Sequence, residues 1–476
     1  MAERVDVAII GAGTAGMAAY RAARAQTERV LLVEGAQYGT TCARVGCMPS
    51  KLLIAAGDAA HTVAAAHRFG IDAGSVAVDG RRVMDRVRSE RDRFVGFVVE
   101  AVEAWPAETR ATGAATFAAP HTLRIAGGPD VEADRIVIAT GSEPLVPPAF
   151  AALGDRVVVN DDVFDWQDLP ASVAVVGTGV IGLELGQALA RLGVRVRTFG
   201  RDGRIAMLTD PDVRAAASAA LKDELGLDDA EFLDAARDGD GVAVRFRQDG
   251  RELTDTFDYL LAATGRRPAV AGLALENAGI ALDPRGVPVF DRFTLQCGDS
   301  HVFIAGDASG DIPLLHEAAD QGRIAGDNAG RFPDVRAGLR RTPLAVVFTD
   351  PGIATVGRTR RELEAAGTDF AIGGVDFSDQ GRSRVMLQNR GALRLYAEHG
   401  TGRLLGAEMV GPRAEHLAHL LAWAHQQMLT VPAMLDLPFY HPVIEEGVRT
   451  ALREANASLH LGPKPIPRSL DCGPGA

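Results

Sequence analysis

Cysteine is scarce in this chain, with four in 476 residues. That excludes a disulfide-stapled extracellular scaffold and fits a reducing compartment. An excess of basic residues is missing as well. The net charge is -12 and no Lys/Arg run occurs, which argues against nucleic-acid binding as the main task because phosphate contacts need clustered cations. Long apolar runs are absent: the stretch Leu417 to Trp423 is far shorter than a membrane span and is interrupted by His419. Met1-Ala2-Glu3-Arg4 leads directly into a strand pattern and leaves no room for a signal peptide. The expectation is a cytoplasmic protein that uses neither membrane nor nucleic acid. What is present is length for roughly three domains, with 47% apolar residues to fill their cores.

Two of the four cysteines stand five residues apart, at Cys42 and Cys47, within the run Gly39 to Lys51. Five residues are little more than one helical turn, so a short distortion brings both sulfurs within disulfide reach. A ring that small removes little unfolded-state entropy, which makes thiol–disulfide exchange a better reason for the pair than stabilisation. Cys297 and Cys472 have no such neighbour and are read as non-catalytic.

The pair follows a nucleotide-binding pattern. A β-branched run, Val5 to Ile10, enters Gly11, Gly13 and Gly16 and then an Ala-rich helix through Ala25. Glycines there permit a tight turn and let backbone amides approach a pyrophosphate at the helix N-terminus. A second strand, Val30 to Val33, ends in Glu34, 23 residues beyond Gly11. An acid at that spacing accepts hydrogen bonds from a ribose 2′-hydroxyl. The pattern recurs at Val173 to Val176 with Gly177, Gly179 and Gly182, a helix to Leu192, and a strand from Val194 to Phe199. Two such units imply two nucleotides. At the matching place the second unit has Gly200 instead of an acid, followed by Arg201 and Arg204, which are close enough to reach a 2′-phosphate. NADP(H) is therefore expected to be accepted, even preferred. Glu184 is read as opening the second unit's helix, where a carboxylate is favoured.

Beyond Thr342 no nucleotide pattern remains. His416, His419 and His425 fall on one helical segment without a Cys or carboxylate cluster, so no metal site is expected. Near the end, His441-Pro442 precedes Glu445 and Glu446. Proline is expected to keep His441 extended, and the following helix can aim either carboxylate at the imidazole. With one ring nitrogen so engaged, the other is free as a base. The tail Pro463 to Ala476 is rich in proline and glycine and reads as extended.

The run Thr41-Cys42, four residues, Cys47-Met48-Pro49-Ser50-Lys51 resembles the active-site signature of the flavoprotein disulfide reductases, the class I pyridine nucleotide-disulfide oxidoreductases. Gly39-Thr40 stands where that family usually has two glycines. The resemblance extends in order from Val5 to Ala455 and implies an α/β fold with two Rossmann-like dinucleotide-binding domains and a C-terminal α+β dimerisation domain. The implied boundaries are 1–145 and 268–341 for the FAD-binding domain, 146–267 for the NAD(P)-binding domain, and 342–476 for the interface domain with its tail. By resemblance Cys42 is the interchange thiol that meets the substrate, and Cys47 faces the flavin. Lys51 lies beside the flavin and pairs with Glu184. FAD contacts are implied for Gly11, Gly13, Gly16, Glu34, Thr41, Thr140, Gly141, Gly306, Asp307, Leu315, His316 and Ala318, and nicotinamide-nucleotide contacts for Gly177, Gly179, Gly182, Arg201, Arg204 and Gly265. The family's His-Pro-Thr-x-x-Glu motif selects Glu446 as the partner of His441, with Val443 replacing the threonine and Phe439-Tyr440 making the approach bulkier. It also implies a homodimer in which His441 of one subunit serves the cysteines of the other.

The implied activity is exchange of electrons between a dithiol or disulfide substrate and NAD(P)(H). Val180 stands where glutathione reductases tend to carry tyrosine and dihydrolipoyl dehydrogenases valine or isoleucine, which favours a lipoyl substrate. The rivals are an NADPH-dependent reductase of the glutathione or mercuric type and, from another class, a flavin-binding interaction subunit or redox sensor without turnover.

Overall fold

The computed structural model describes residues 3–227 and 230–461. The proline-rich tail and Cys472 lie outside them. The chain divides into two compact units, the first ending its opening segment at Gly177 and adding Leu185–Phe199 and Glu231–Arg341, the second made of Thr178–Glu184, Gly200–Ala230 and the chain from Thr342.

The first unit is built on two parallel sheets. In the larger, Arg110–Thr112, Val30–Glu34, Glu3–Ile10, Val131–Ile138 and Val302–Ile304 run parallel in that order. Thr122–Ile125 and Ala115–Ala119 add an antiparallel arm. Val7, Ile9, Leu32, Val33 and Ile136 to Ile138 are all fully buried. Near-continuous apolar strands of this kind are what a parallel sheet covered on both faces requires. The smaller parallel sheet has the order Arg195–Phe199, Ser172–Val176, Tyr259–Ala262, Val157–Val158. A three-stranded antiparallel sheet, Glu231 to Phe257, accompanies it.

The helix Thr14–Arg24, which leaves the first glycine turn, packs against Leu315–Arg331. The seam depends on missing side chains. A Cβ on Gly322 would sit 2.1 Å from the Ala15 carbonyl oxygen, and one on Gly326 would sit 2.2 Å from that of Ala19. The two helices therefore touch backbone to backbone, which fixes the N-terminus of the first against Gly306 and the start of the second.

In the second unit a five-stranded antiparallel sheet has the order Leu344–Val347, Gly352–Gly357, Leu404–Gly411, Ala392–Glu398, Phe370–Asp376. Helices Ala414–Gln426 and Glu446–Ser458 bury Leu417, Leu421, Val448 and Leu452 with Leu393, Leu395 and Met409 of the sheet. One polar cluster interrupts this core. The fully buried Glu408 carboxylate accepts from the amides of Thr209, Asp210 and Arg360 and from the hydroxyls of Thr209 and Tyr396. The cluster anchors the segment after Arg204 to the sheet, and its satisfied acceptors offset the burial of charge.

The fold is thus α/β, with two Rossmann-like sheets and a C-terminal α+β domain. Among the described residues no helix is long and apolar enough to cross a membrane.

Candidate functional site

At the first glycine turn the strand Glu3–Ile10 ends and Gly11 takes φ +105. A Cβ there would lie 2.4 Å from the Ala139 carbonyl oxygen, and one on Gly16 would lie 1.8 Å from that of Gly11. A Cβ on Gly13 would meet nothing within 4 Å. Gly11 and Gly16 thus close the turn, while Gly13 leaves the approach to the helix N-terminus open. This turn borders a cavity of about 380 Å³, also lined by Glu34, Thr41, Thr140 and Gly141. Glu34 spans its rim, accepting from Ala12 N at 2.7 Å and Ala36 N at 2.9 Å. The Thr140 hydroxyl is buried with no hydrogen-bond partner among the described residues. Amides at a helix N-terminus, a carboxylate at the rim and an unsatisfied hydroxyl together fit a dinucleotide.

Asp307 follows the strand Val302–Ile304, and its carboxylate accepts from the Ser142 hydroxyl at 2.8 Å. Gly306, at φ +70, donates its amide to Gln321 at 2.8 Å. Leu315 and His316 begin the helix expected there. The His316 Nε2 is buried without a hydrogen-bond partner among the described residues, Ala318 is buried, and Leu315 is exposed.

The cysteines occupy consecutive helical segments. Cys42 lies on the single turn Thr41–Arg44, and Cys47 is the first residue of the helix Cys47–Ala65. Val45 and Gly46 make the break between them. A Cβ on Gly46 would be 3.0 Å from the Thr41 carbonyl oxygen and 3.3 Å from the Cys42 Cα, so glycine is needed for the two segments to fold this closely. Thr40, where the signature has glycine, takes φ 55 and caps the short turn by accepting from Ala43 N at 3.1 Å. The cap offsets part of the strain that a β-branched residue meets at positive φ.

Cys42 and Cys47 are both thiols, hydrogen-bonded to each other. That hydrogen bond, burial and the charge on Cys47 push Cys42 far above the ordinary thiol range, and Lys51 opposes the rise. Two touching sulfurs do not readily ionise together, so a charge on Cys47 keeps the proton on Cys42. Cys47 is the exposed member and sits at the N-terminus of a 19-residue helix, where partial positive charge favours a thiolate. Lys51 is one turn further along the same helix.

The second glycine turn repeats the first. Gly177 takes φ +123, with a Cβ 2.2 Å from the Ala263 carbonyl oxygen, and Gly179 again faces open space. Gly182 is buried in the helix Val180–Arg191, and Gly265 takes φ +120 with nothing near its missing side chain. A Cβ on Gly200 would meet the Thr178 Cγ2 at 3.0 Å. Thr178 is itself buried and donates its hydroxyl to the Arg204 carbonyl at 2.5 Å. Arg201 and Arg204 are exposed.

One expectation is corrected. Glu184 does not open its helix: the helix starts at Val180, directly after the glycine turn, so Glu184 lies in the second turn. There it is buried and accepts from the Phe348 amide at 2.9 Å. His441 lies in a turn, and its bond to Pro442 is cis. Of the two candidate acids, Glu446 is the partner. The His441 Nδ1 lies 3.0 and 3.1 Å from its two oxygens, and Val443 N donates to it at 3.2 Å. The hydrogen bond from His441 and the one from Val443 hold the Glu446 carboxyl below its ordinary value. Cys297 is buried, which pushes its thiol up to about 12 and keeps it inert. His419 Nδ1 is engaged by the Glu415 carbonyl and His425 Nδ1 by the Thr342 hydroxyl.

Three residues escaped the sequence reasoning: Thr178, Ser142 and Arg44, which lines the dinucleotide cavity. A signal existed only for Arg44, as the one cation between the two cysteines.

Comparison with known proteins places these features in a class. The pyridine nucleotide-disulphide oxidoreductase family matches residues 5–322, and the dimerisation domain of the same family matches residues 344–452. The chain belongs to this family, whose members use FAD and a nicotinamide nucleotide. It is 31% identical over 461 residues to a dihydrolipoyl dehydrogenase of Bacillus subtilis, covering 94% of this chain and 98% of that protein. It is 32% identical to a mercuric reductase of Shigella flexneri, covering 96% and 81%. Among solved structures, the Cu(II) complex of the HOCl-induced flavoprotein disulfide reductase RclA from Escherichia coli is similar with a TM-score of 0.78 and 25% identity, covering 95% of this chain and 99% of that one.

Proposed function

We propose that this flavoprotein disulfide oxidoreductase is a dihydrolipoyl dehydrogenase, oxidising a dithiol at the Cys42–Cys47 pair. The observation that carries the reading is the pair itself, two cysteines hydrogen-bonded across consecutive helical segments beside the dinucleotide cavity. The cavity of Gly11, Gly13, Glu34, Thr41, Thr140 and Gly141, with Asp307 and the start of the Leu315 helix, would hold FAD, which would supply hydride transfer to the nicotinamide nucleotide.

The residues of this chain handle thiols and protons. A substrate thiolate attacks Cys42 Sγ of the oxidised pair, forming a mixed disulfide and releasing Cys47 as thiolate. The helix N-terminus and Lys51 stabilise that charge. The second substrate thiol gives its proton to His441 Nε2 and attacks the substrate sulfur of the mixed disulfide, so the substrate leaves as a disulfide and Cys42 leaves as a thiolate that takes that proton from His441. Two electrons have then passed to the cysteines. Glu446 accepts the Nδ1 hydrogen and so keeps Nε2 as the acceptor. Glu184 is assigned as the acid that pairs with Lys51.

The site is completed by a second copy of the chain, with His441 of one subunit acting on the cysteines of the other. Supporting this, the dimerisation domain carries Leu420, Trp423 and Met428 at 45%, 67% and 66% exposure, an apolar face suited to self-association. The domain boundaries expected from the sequence, the cytoplasmic location and the nucleotide contacts of Gly177, Gly179, Gly182 and Gly265 belong to the same reading. Arg201 and Arg204 are proposed to bind a 2′-phosphate.

The similarity to mercuric reductases favours one rival, an NADPH-dependent reductase. A panel of dihydrolipoamide, glutathione disulfide and Hg(II), each with NAD(H) and NADP(H), decides between them. The proposal expects dihydrolipoamide to give the highest kcat/KM, and a preference for either other substrate refutes the lipoyl assignment.

A further inference from the structure

The dinucleotide cavity has one cationic side chain. Among the described residues that line it the charged groups are Glu34 and Arg44. The pyrophosphate of a dinucleotide brings two negative charges, and Glu34 at the rim adds a third. The helix N-terminus after Gly13 offers amides and only about half a unit of positive charge. Arg44 is therefore the only side chain there that can balance the phosphates.

Its placement is prepared by the chain. Gly39 has φ +128, and a Cβ on it would fall 2.9 Å from the Arg44 Cδ, so the absence of a side chain lets the arginine stem lie across the turn. The guanidinium makes no hydrogen bond or ion pair with other described residues. Asp161 feels its charge, yet Arg266 acts more strongly there and burial outweighs both, leaving the Asp161 carboxyl raised. Among the described residues none holds the Arg44 guanidinium in a hydrogen bond or close ion pair that would keep it from a ligand, and a half-buried arginine in that state is matched to an anion.

Resting on the assignment of this cavity to FAD, we infer that Arg44 clamps the pyrophosphate of the flavin dinucleotide. It does so from the same helical turn that carries Cys42, so the cofactor's phosphates and the redox pair share one short segment, Thr40 to Cys47.

The test measures the FAD dissociation constant of the full chain by flavin fluorescence at low and moderate salt, with riboflavin, which has no phosphate, as the second ligand. One charge-assisted contact corresponds to a change of roughly 10- to 100-fold. Arg44→Ala and Arg44→Gln are expected to weaken FAD by that factor and flatten its salt dependence while leaving riboflavin unchanged, and Arg44→Lys to recover part of the loss. FAD binding within twofold of wild type in Arg44→Gln overturns the inference, as does an equal loss for riboflavin, which would mark a structural role. Gly13→Val and Glu34→Gln separate the underlying assignment. If neither weakens FAD, the cavity is wrongly assigned; if both do and Arg44→Gln does not, only the arginine's role falls.

Discussion

The two glycine turns are nearly superimposable in logic and differ in what surrounds them. Each puts its first glycine at positive φ against the carbonyl of an Ala-Thr-Gly triplet, Ala139 to Gly141 in one case and Ala263 to Gly265 in the other. Each leaves its second glycine facing open space. Beyond that they diverge. The first ends in Glu34, tied to its own turn by two amides, and runs on into the cysteines. The second ends in Gly200, where Thr178 occupies the neighbouring space and two exposed arginines follow. The Thr140 hydroxyl is buried without a partner among the described residues, while the Thr264 hydroxyl is engaged by the Leu145 carbonyl. The difference teaches that the glycines specify only a place for a pyrophosphate, and that the residues after the second strand decide which dinucleotide is held and what chemistry adjoins it.

The harshest way to break the comparison is to fill each turn. Gly11→Ala and Gly177→Ala both force a Cβ onto a carbonyl at positive φ, at a cost of about 2–5 kcal/mol. Gly11→Ala is expected to yield protein without flavin, read as absorbance per chain. Gly177→Ala should retain flavin and lose turnover with either nicotinamide nucleotide.

The redox segment distinguishes the first unit, and its proton sharing is open to titration. In the reduced enzyme, thiolate absorbance should rise in two separate steps, the second, from Cys42, only far above the ordinary thiol value. Replacing Cys47 by serine removes the neighbouring negative charge, so Cys42 is expected to ionise at lower pH than in wild type.

A gentler change would make the second unit resemble the first. Gly200→Glu alone presses on Thr178, so the informative variant pairs it with Thr178→Gly. The restored acid repels a 2′-phosphate and is expected to move the NADP/NAD ratio of kcat/KM toward NAD by roughly 10- to 100-fold. Arg201→Ala, at an exposed and salt-screened site, should move it only a few-fold.

The smallest effect concerns Glu446. Its carboxyl is held below its ordinary value in the folded chain, so the stability it contributes is present above the unfolded value and is lost as pH falls through the depressed one. Thermal unfolding from pH 7 to pH 3 should show this acid-side loss reduced in Glu446→Gln.

Much of this was legible in the sequence because it is local. Glycine spacing, the acid 23 residues on and the paired cysteines each report a short stretch of backbone geometry. What was illegible depends on distant neighbours. Gly322 and Gly326 look like flaws in a helix until Ala15 and Ala19 are seen against them. Glu408 reads as an ordinary strand residue, yet it binds Thr209 and Asp210 from nearly 200 positions away. Glu184 was placed at a helix start because the start could not be fixed to the residue. The choice between Glu445 and Glu446 came from the family motif, and the turn at Pro442 shows its physical basis: Val443 N joins the imidazole on one carboxylate.

The central claim is that Cys42 and Cys47 together carry the electrons. Its most direct test is steady-state reduction of NAD(P)⁺ by dihydrolipoamide in wild type, Cys42→Ser and Cys47→Ser, each matched for bound flavin. The account predicts wild-type turnover and a loss of at least about 1,000-fold in kcat for each variant, with flavin content unchanged, corresponding to about 4 kcal/mol or more of transition-state stabilisation. Turnover near the wild-type rate in either variant would contradict it.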